Sequence, residues 1–241
     1  MTKKKVIIIT VSIVGVLGVL AGVLVPVSIN SINHPSAPKV NSSKKHIACI
    51  GDSVTFGNGV WPFHHYQSYP AYLNKYVGNE YQVLNYGLSG RTLMNEADHP
   101  YTSEKFYNIS HEVKADVYII MLGSNDSKNH NWKYAGENGI NYKNELKEFA
   151  NSYISLENSP TVYLMQPPKA FKKAYKIDNN IISNDIHRIV KEVGDELSIG
   201  VIDIYTLTEN HRGWFMDGVH PNSNGDKQIA NYIYSQIEGS L

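Results

Sequence analysis

The chain has 241 residues, and its 22 basic and 22 acidic side chains give a formal net charge of zero. No long run of one charge follows the first 45 residues, so the sequence gives no support for nucleic-acid binding. A single cysteine, Cys49, excludes an intrachain disulfide and a zinc ribbon, and its apolar neighbours indicate a buried structural thiol.

The N-terminal segment is typical of a membrane anchor. Three lysines precede an apolar run from Val6 to Val25, and as a helix this run reaches about 30 Å, the thickness of a bilayer's hydrocarbon core. We therefore predict that residues 1–29 hold a cytoplasmic lysine cluster and one N-terminal transmembrane helix, with the rest of the chain outside the cell. A signal peptide cleaved before Lys39, which would release a secreted protein, is the alternative. The run is longer than most signal sequences, however, and no Ala-x-Ala pattern follows it.

Residues 30–45 are rich in Asn, Ser, Pro and Lys and have few apolar groups to bury, so they are predicted to be a flexible linker. Residues 46–241 remain as one domain, which is long enough for a substantial core.

Short apolar segments alternate with helical patterns along this domain. Strands are predicted over 46–50, 82–85, 117–122, 161–165 and 199–204, because these segments are apolar at consecutive positions, like strands covered on both faces. Helices are predicted over 69–76, over 140–154, over 179–193 with a stop at Gly194, and from about Ser223. This alternation predicts an α/β fold, in which helices cover both faces of a parallel sheet.

Four short motifs follow the predicted strands or precede the last helix. They are Gly51-Asp52-Ser53, Gly90, Gly123-Ser124-Asn125-Asp126 and Asp217-Gly218-Val219-His220. Open parallel sheets bind ligands outside the carboxyl ends of their strands, so we expect these motifs to converge.

The residue types in these motifs suit acyl transfer. A serine such as Ser53 needs an adjacent base, which His220 can supply, and Asp217 is spaced to orient one ring nitrogen of that histidine. The backbone amides of Ser53 and Gly90 and the side chain of Asn125 are candidate donors to an oxyanion. Each motif also has an ordinary alternative: a helix cap, a loop glycine, a turn after a strand, or a surface salt link. A metal site at the Asp-x-x-His pair is a weak alternative, since no third ligand suggests itself.

Taken in order, the motifs resemble those of the SGNH (GDSL-type) hydrolases, over essentially the whole of 46–241. The resemblance implies a flavodoxin-like, three-layer α/β/α domain that hydrolyses esters or thioesters without a metal or cofactor. It assigns Ser53 as the nucleophile, His220 as the base and Asp217 as its partner, and it assigns the oxyanion hole to Ser53, Gly90 and Asn125. The one departure is Val54 where the motif's name has Leu, which puts no catalytic role in doubt.

Fold and triad do not select the ester. Aromatic and histidine side chains in the loops suit stacking on sugar rings, although they suit loop packing equally, and we predict a carbohydrate O-acyl or O-acetyl esterase at the cell surface. A lysophospholipase, thioesterase or small-ester esterase is the enzymatic alternative, and an inactive surface-binding module is the other. The side chains in question are Trp61, His64, His65, Tyr66, His130, Trp132, Tyr134, Trp214 and Phe215.

Overall fold

The computed structural model describes residues 35–241, and a single parallel sheet lies at the centre of this part of the chain. The strand order is β2-β1-β3-β4-β5, and every paired neighbour is parallel. The strands are β1 Lys45–Gly51, β2 Tyr81–Gly87, β3 Val117–Met121, β4 Thr161–Met165 and β5 Gly200–Ile202.

The connections of the sheet contain helices of very different lengths. Five have eight or more residues: α3 Tyr69–Tyr76, α4 Lys105–Glu112, α6 Ile140–Ile154, α8 His187–Leu197 and α10 Ser223–Ile237. The shorter ones are α1 Ser53–Phe56, α2 His64–Gln67, α5 Asn129–Trp132, α7 Asn179–Ile181 and α9 Ile204–Thr208. A π-helical turn over Ile182–Ile186 joins α7 to α8.

Side-chain alternation along β1 shows how the two faces of the sheet are covered. Ala48 and Ile50 pack into one core cluster with residues of α6 and α8, whereas Ile47 and Cys49 pack into a second with residues of α3 and α10. Successive residues of a strand point to opposite faces. All four side chains are fully buried, so both faces of the sheet are covered. The predicted three-layer α/β/α architecture is thereby confirmed, and Cys49 is a buried free thiol as expected.

The strand order creates a crevice at one point of the sheet. The chain moves from β1 to β2 on one side and then returns to β3 on the other side of β1. In open α/β sheets such a switch point is where ligands bind, outside the carboxyl ends of the two strands. The segments that follow β1 and β3 contain Ser53 and Asn125 respectively.

Several element boundaries differ from those expected, and strands β1 and β2 both extend beyond their predicted bounds at each end. Strand β3 ends at Met121 rather than at Leu122, and β5 is shorter than the predicted 199–204. The helix expected to stop at Gly194 continues to Leu197 and is capped by Ser198 in the left-handed region. A Cβ at Gly194 would lie 2.1 Å from the Val201 side chain, so this glycine permits close helix–strand packing rather than ending the helix.

The predicted anchor over Val6–Val25 lies outside the described residues. Within 35–241, no helix is both long enough and apolar enough to cross a bilayer.

Candidate active site

Ser53 lies where β1 gives way to α1. The Asp52 side chain accepts a hydrogen bond from the Val54 amide at 2.9 Å and caps this helix, so the capping alternative for the motif is also correct. A Cβ at Gly51 would lie 2.1 Å from Thr55 Oγ1, which explains why the turn requires glycine. Ser53 is therefore the first residue of a helix and lies at the switch point of the sheet.

His220 reaches Ser53 from a turn that precedes α10. The Ser53 hydroxyl oxygen lies 2.9 Å from His220 Nε2, and His220 Nδ1 lies 2.8 Å from Asp217 Oδ2. Because a carboxylate only accepts, Nδ1 carries the proton and Nε2 accepts from the serine. This is the tautomer that a general base requires.

The carboxylate of Asp217 is itself held by the backbone of its turn. Its Oδ1 accepts hydrogen bonds from the amides of Val219 at 2.9 Å and His220 at 2.8 Å. Burial alone would raise the pKa of Asp217, but the bonds from the His220 ring and these two amides hold that pKa well below its usual range. Asp217 is therefore ionised at neutral pH and can stabilise a charged imidazole.

Gly90 and Asn125 lie on the loops that follow β2 and β3. Asn125 Nδ2 donates to the Arg91 carbonyl at 3.0 Å, which fixes the amide, and has only a long contact of 3.4 Å to Asp52 Oδ2. Gly90 has a φ of +82°, a left-handed conformation that favours glycine, and open space surrounds its Cα. The amides of Ser53 and Gly90 donate to no acceptor within residues 35–241, so both are available to an oxyanion.

Asp126 connects these two loops. Its carboxylate accepts hydrogen bonds from the amides of Leu93 at 3.0 Å and Met94 at 2.9 Å. Burial raises the pKa of Asp126 to about 7, although these amide bonds oppose the increase. Asn131 adds a second support, because its Nδ2 donates to the Asn125 carbonyl at 2.9 Å. Asp126 therefore acts through the loop backbone, and no sequence motif indicated the role of Asn131.

Gly59 is a further residue that sequence reasoning missed. A Cβ there would lie 2.0 Å from the carbonyl oxygen of Pro221 and 3.1 Å from the carbonyl carbon of His220. The turn after α1 thus packs directly against the backbone of the histidine turn. No local pattern reveals this contact, since Gly59 and Pro221 are far apart in the chain.

Three of the nine side chains considered for sugar stacking pack within the fold. Phe215 is 3% exposed, Trp132 lies 5.5 Å from the Tyr142 ring, and His64 stacks on Phe56 at 4.4 Å. Burial lowers the pKa of His64 to about 4, so it is neutral. Tyr66 remains 70% exposed. The packing alternative is correct for Phe215, Trp132 and His64.

The Asp217–His220 pair has no third ligand for a metal. Across residues 35–241, no three His, Cys, Asp or Glu side chains come together in an arrangement that could hold an ion.

Comparison with known proteins agrees with this geometry. Residues 49–228 match the model of the GDSL-like lipase/acylhydrolase family. The chain is 32% identical over 220 residues to an acetylxylan esterase of Xylanibacter ruminicola, an alignment that covers 84% of this chain and 44% of that protein. The chain therefore spans less than half the length of this relative.

The fold is also found in solved structures. An aryl esterase of M. smegmatis has a TM-score of 0.66 at 19% identity, covering 82% of this chain and 100% of that one. A carbohydrate acetylesterase of Sinorhizobium meliloti has a TM-score of 0.62 at 19% identity, with the same two coverages.

The family match and the acetylxylan esterase relative define the class as ester-hydrolysing serine hydrolases. The chain belongs to the GDSL-like lipase/acylhydrolase family, as the resemblance of its four motifs to the SGNH hydrolases implied.

Proposed function

We propose that Ser53, His220 and Asp217 form a catalytic triad that hydrolyses O-acetyl esters of carbohydrate through an acyl-enzyme. The observation that carries the chemical part is the continuous hydrogen-bonded chain from Ser53 Oγ through the His220 ring to Asp217 Oδ2, with distances of 2.9 and 2.8 Å. The donors and acceptors along this chain stand in the order that nucleophilic attack by a serine requires.

In the first half of the reaction, Ser53 Oγ attacks the ester carbonyl carbon while His220 Nε2 takes the hydroxyl proton. The amides of Ser53 and Gly90 and the Asn125 side chain donate to the oxyanion of the tetrahedral intermediate. Its collapse breaks the bond to the alcohol, which leaves with the proton from His220. The acyl group is then attached to Ser53.

Water completes the cycle by the reverse sequence of proton transfers. His220 takes a proton from the water that attacks the acyl-enzyme, and the second intermediate expels Ser53 Oγ, which regains its proton. Asp217 remains ionised throughout, because its low pKa favours a charged histidine beside a carboxylate over proton transfer to it.

The choice of an acetylated carbohydrate is supported by the relative named as an acetylxylan esterase. Acetate release from acetylated xylan, measured beside fatty-acid release from lysophosphatidylcholine and hydrolysis of p-nitrophenyl acetate, tests this choice. We expect acetate release from acetylated xylan to be faster than fatty-acid release from lysophosphatidylcholine, and to disappear in Ser53→Ala. Faster fatty-acid release would contradict the carbohydrate assignment and support the lysophospholipase alternative. An inactive module would bind the glycan without hydrolysing any of the three.

We further propose that the apolar segment Val6–Val25 anchors the enzyme in the cell membrane with its catalytic domain outside. The support is the length of this run and the lysines before it. Fractionation of cells that make the full chain should place it with membranes, and protease added to intact cells should digest the catalytic domain. Recovery of a shortened chain in the medium would instead indicate signal cleavage and secretion.

A further inference from the structure

The loop between β4 and α7 lies over the Asp217–His220 pair. The Phe171 amide donates to the Gly218 carbonyl at 2.7 Å, and the Phe171 ring packs against Phe215 with centroids 5.2 Å apart. The Lys172 side chain also covers Gly218. This loop is therefore attached to the turn that holds both His220, the base of the proposed triad, and its carboxylate partner Asp217.

Tyr175, on the same loop, contacts both members of the pair. Its hydroxyl donates to Asp217 Oδ2 at 3.0 Å, which is the oxygen that also accepts from His220 Nδ1. Its ring meets the His220 ring edge to face, with centroids 5.1 Å apart and an interplanar angle of 63°. The residue is 61% exposed, and its hydroxyl is hydrogen-bonded to the carboxylate.

The backbone that presents this side chain is strained. Tyr175 has a φ of +57° and Lys176 a φ of +64°, so two consecutive residues other than glycine lie in the left-handed region. Such conformations persist where surrounding contacts impose them, and they cluster at functional sites. Here this conformation brings the Tyr175 hydroxyl to Asp217 Oδ2, which already accepts a hydrogen bond from His220.

We propose that Tyr175 is a positioning residue, which shares Asp217 Oδ2 with His220 and thereby limits how strongly the carboxylate stabilises a protonated histidine. This role rests on the proposed triad and adds to it a control over the pH at which the base is active.

The direction of the effect follows from the sharing of one oxygen. A second donor withdraws negative charge from the Asp217–His220 hydrogen bond, so the imidazolium is less stabilised than it would be with Asp217 alone. Burial and then the bond to Asp217 raise the pKa of the Tyr175 hydroxyl, which therefore remains a donor at neutral pH. Two other titratable side chains lie close by: Asp52, just after β1, interacts with His220, and the aliphatic part of Lys172 lies against Gly218. Neither is altered by removing the tyrosine hydroxyl.

Tyr175→Phe keeps the ring and removes only the hydroxyl. The carboxylate then accepts from His220 alone and stabilises the protonated ring more strongly, so a higher pH is needed before the neutral base is available. We expect the acid limb of the kcat/KM profile to move to higher pH by about 0.3 to 0.7 of a pH unit, as one partly exposed hydrogen bond allows. KM and the plateau value of kcat should stay within about threefold, since the geometry of the substrate cleft is retained.

The experiment compares the full chain with its Tyr175→Phe, Tyr175→Ala and Tyr163→Phe variants. Tyr163 provides a matched control, because its hydroxyl bonds Ser240 at 2.7 Å at the end of the chain. The pH profile of kcat/KM for p-nitrophenyl acetate is measured beside an NMR titration of the His220 ring. We expect both Tyr175 variants to move the acid limb and the midpoint of the His220 NMR titration to higher pH together. Tyr163→Phe should move neither.

An acid limb and a His220 titration that stay at wild-type values in Tyr175→Phe would overturn the proposal. So would a shift in Tyr175→Ala alone, since the ring and not the hydroxyl would then be responsible. Failure of the triad itself is distinguishable, because the wild-type acid limb would not coincide with the His220 titration.

Discussion

Asparagine in place of Asp217 gives the most informative perturbation of the site. The native carboxylate uses Oδ1 to accept from the amides of Val219 and His220, and Oδ2 to accept from His220 Nδ1. Asparagine has one accepting and one donating group, so it cannot satisfy both sides. If its oxygen keeps the two amide bonds, its NH₂ faces Nδ1, which must then be unprotonated. Nε2 would carry the proton and cannot accept the one on Ser53.

The opposite orientation of the asparagine restores the tautomer at the expense of the turn. Its NH₂ would then face two backbone N–H groups, and two hydrogen bonds worth about 0.5–1.5 kcal/mol each would be lost. The active arrangement is therefore disfavoured by about 1–3 kcal/mol, or roughly 5- to 150-fold. The loss of a charge beside the imidazolium adds roughly another factor of ten. The two factors together predict that kcat/KM falls about 50- to 1,500-fold in Asp217→Asn.

The assay is the initial rate of p-nitrophenyl acetate hydrolysis at pH 8, with circular dichroism to confirm that each variant is folded. Asp203→Asn is the matched control, because Asp203 Oδ1 also lies against a histidine, His187, at 3.4 Å, but away from Ser53. Asparagine preserves the helix cap that Asp203 forms for α9, so this control should stay within about twofold. An Asp217→Asn enzyme within threefold of wild type would refute the assigned tautomer and the role of this carboxylate.

Three other substitutions, one of them with a matched control, have defined outcomes. Asn125→Ala should lower kcat by about 10²-fold with a smaller effect on KM, and an unchanged kcat would exclude this amide as an oxyanion donor. Gly59→Ala places a methyl group 2.0 Å from the carbonyl oxygen of the residue after His220, so kcat/KM should fall at least about tenfold. Gly213→Ala, where the added methyl meets open space, should not change it. Asp226 is fully buried, and its Oδ1 accepts from the Tyr69 amide, while its Oδ2 has no hydrogen-bond partner among residues 35–241. Burial raises the pKa of Asp226 well above its usual range, so the native state binds this proton more tightly than the unfolded state and loses stability as pH rises above about 4, the pKa of an unfolded aspartate. Asp226→Asn should therefore be the more stable protein at pH 9, by about 1–3 kcal/mol in urea unfolding, with a smaller difference at pH 5; a difference that does not depend on pH would contradict this.

Sequence pattern predicted the elements that bury a regular stripe or a continuous apolar run. Helices α3 and α6 begin and end at the predicted residues, because their apolar side chains recur with helical spacing over two turns or more. Strand β4 likewise has its predicted bounds. Helix α4 was missed, since only Phe106 and Ser110 are buried along its eight mostly polar residues.

The candidate site divides in the same way. Ser53, Asn125 and His220 could be placed from the sequence, because each lies in a short motif near a strand end or before a helix. Gly59 and Tyr175 could not, because what matters at each is a contact with the histidine turn made by a distant part of the chain. The extension of α8 past Gly194 could not be predicted for the same reason. Position 194 is glycine because the Val201 side chain, on strand β5, packs against it.

The central claim is that Ser53 is activated by His220 and becomes acylated. Intact-mass measurement after reaction with a fluorophosphonate tests it most directly, followed by peptide mapping of the adduct. We predict one adduct per chain on the peptide that contains Ser53, with no adduct and no ester hydrolysis in Ser53→Ala. An adduct on another residue, or turnover retained by the folded Ser53→Ala variant, would contradict the assignment of the nucleophile.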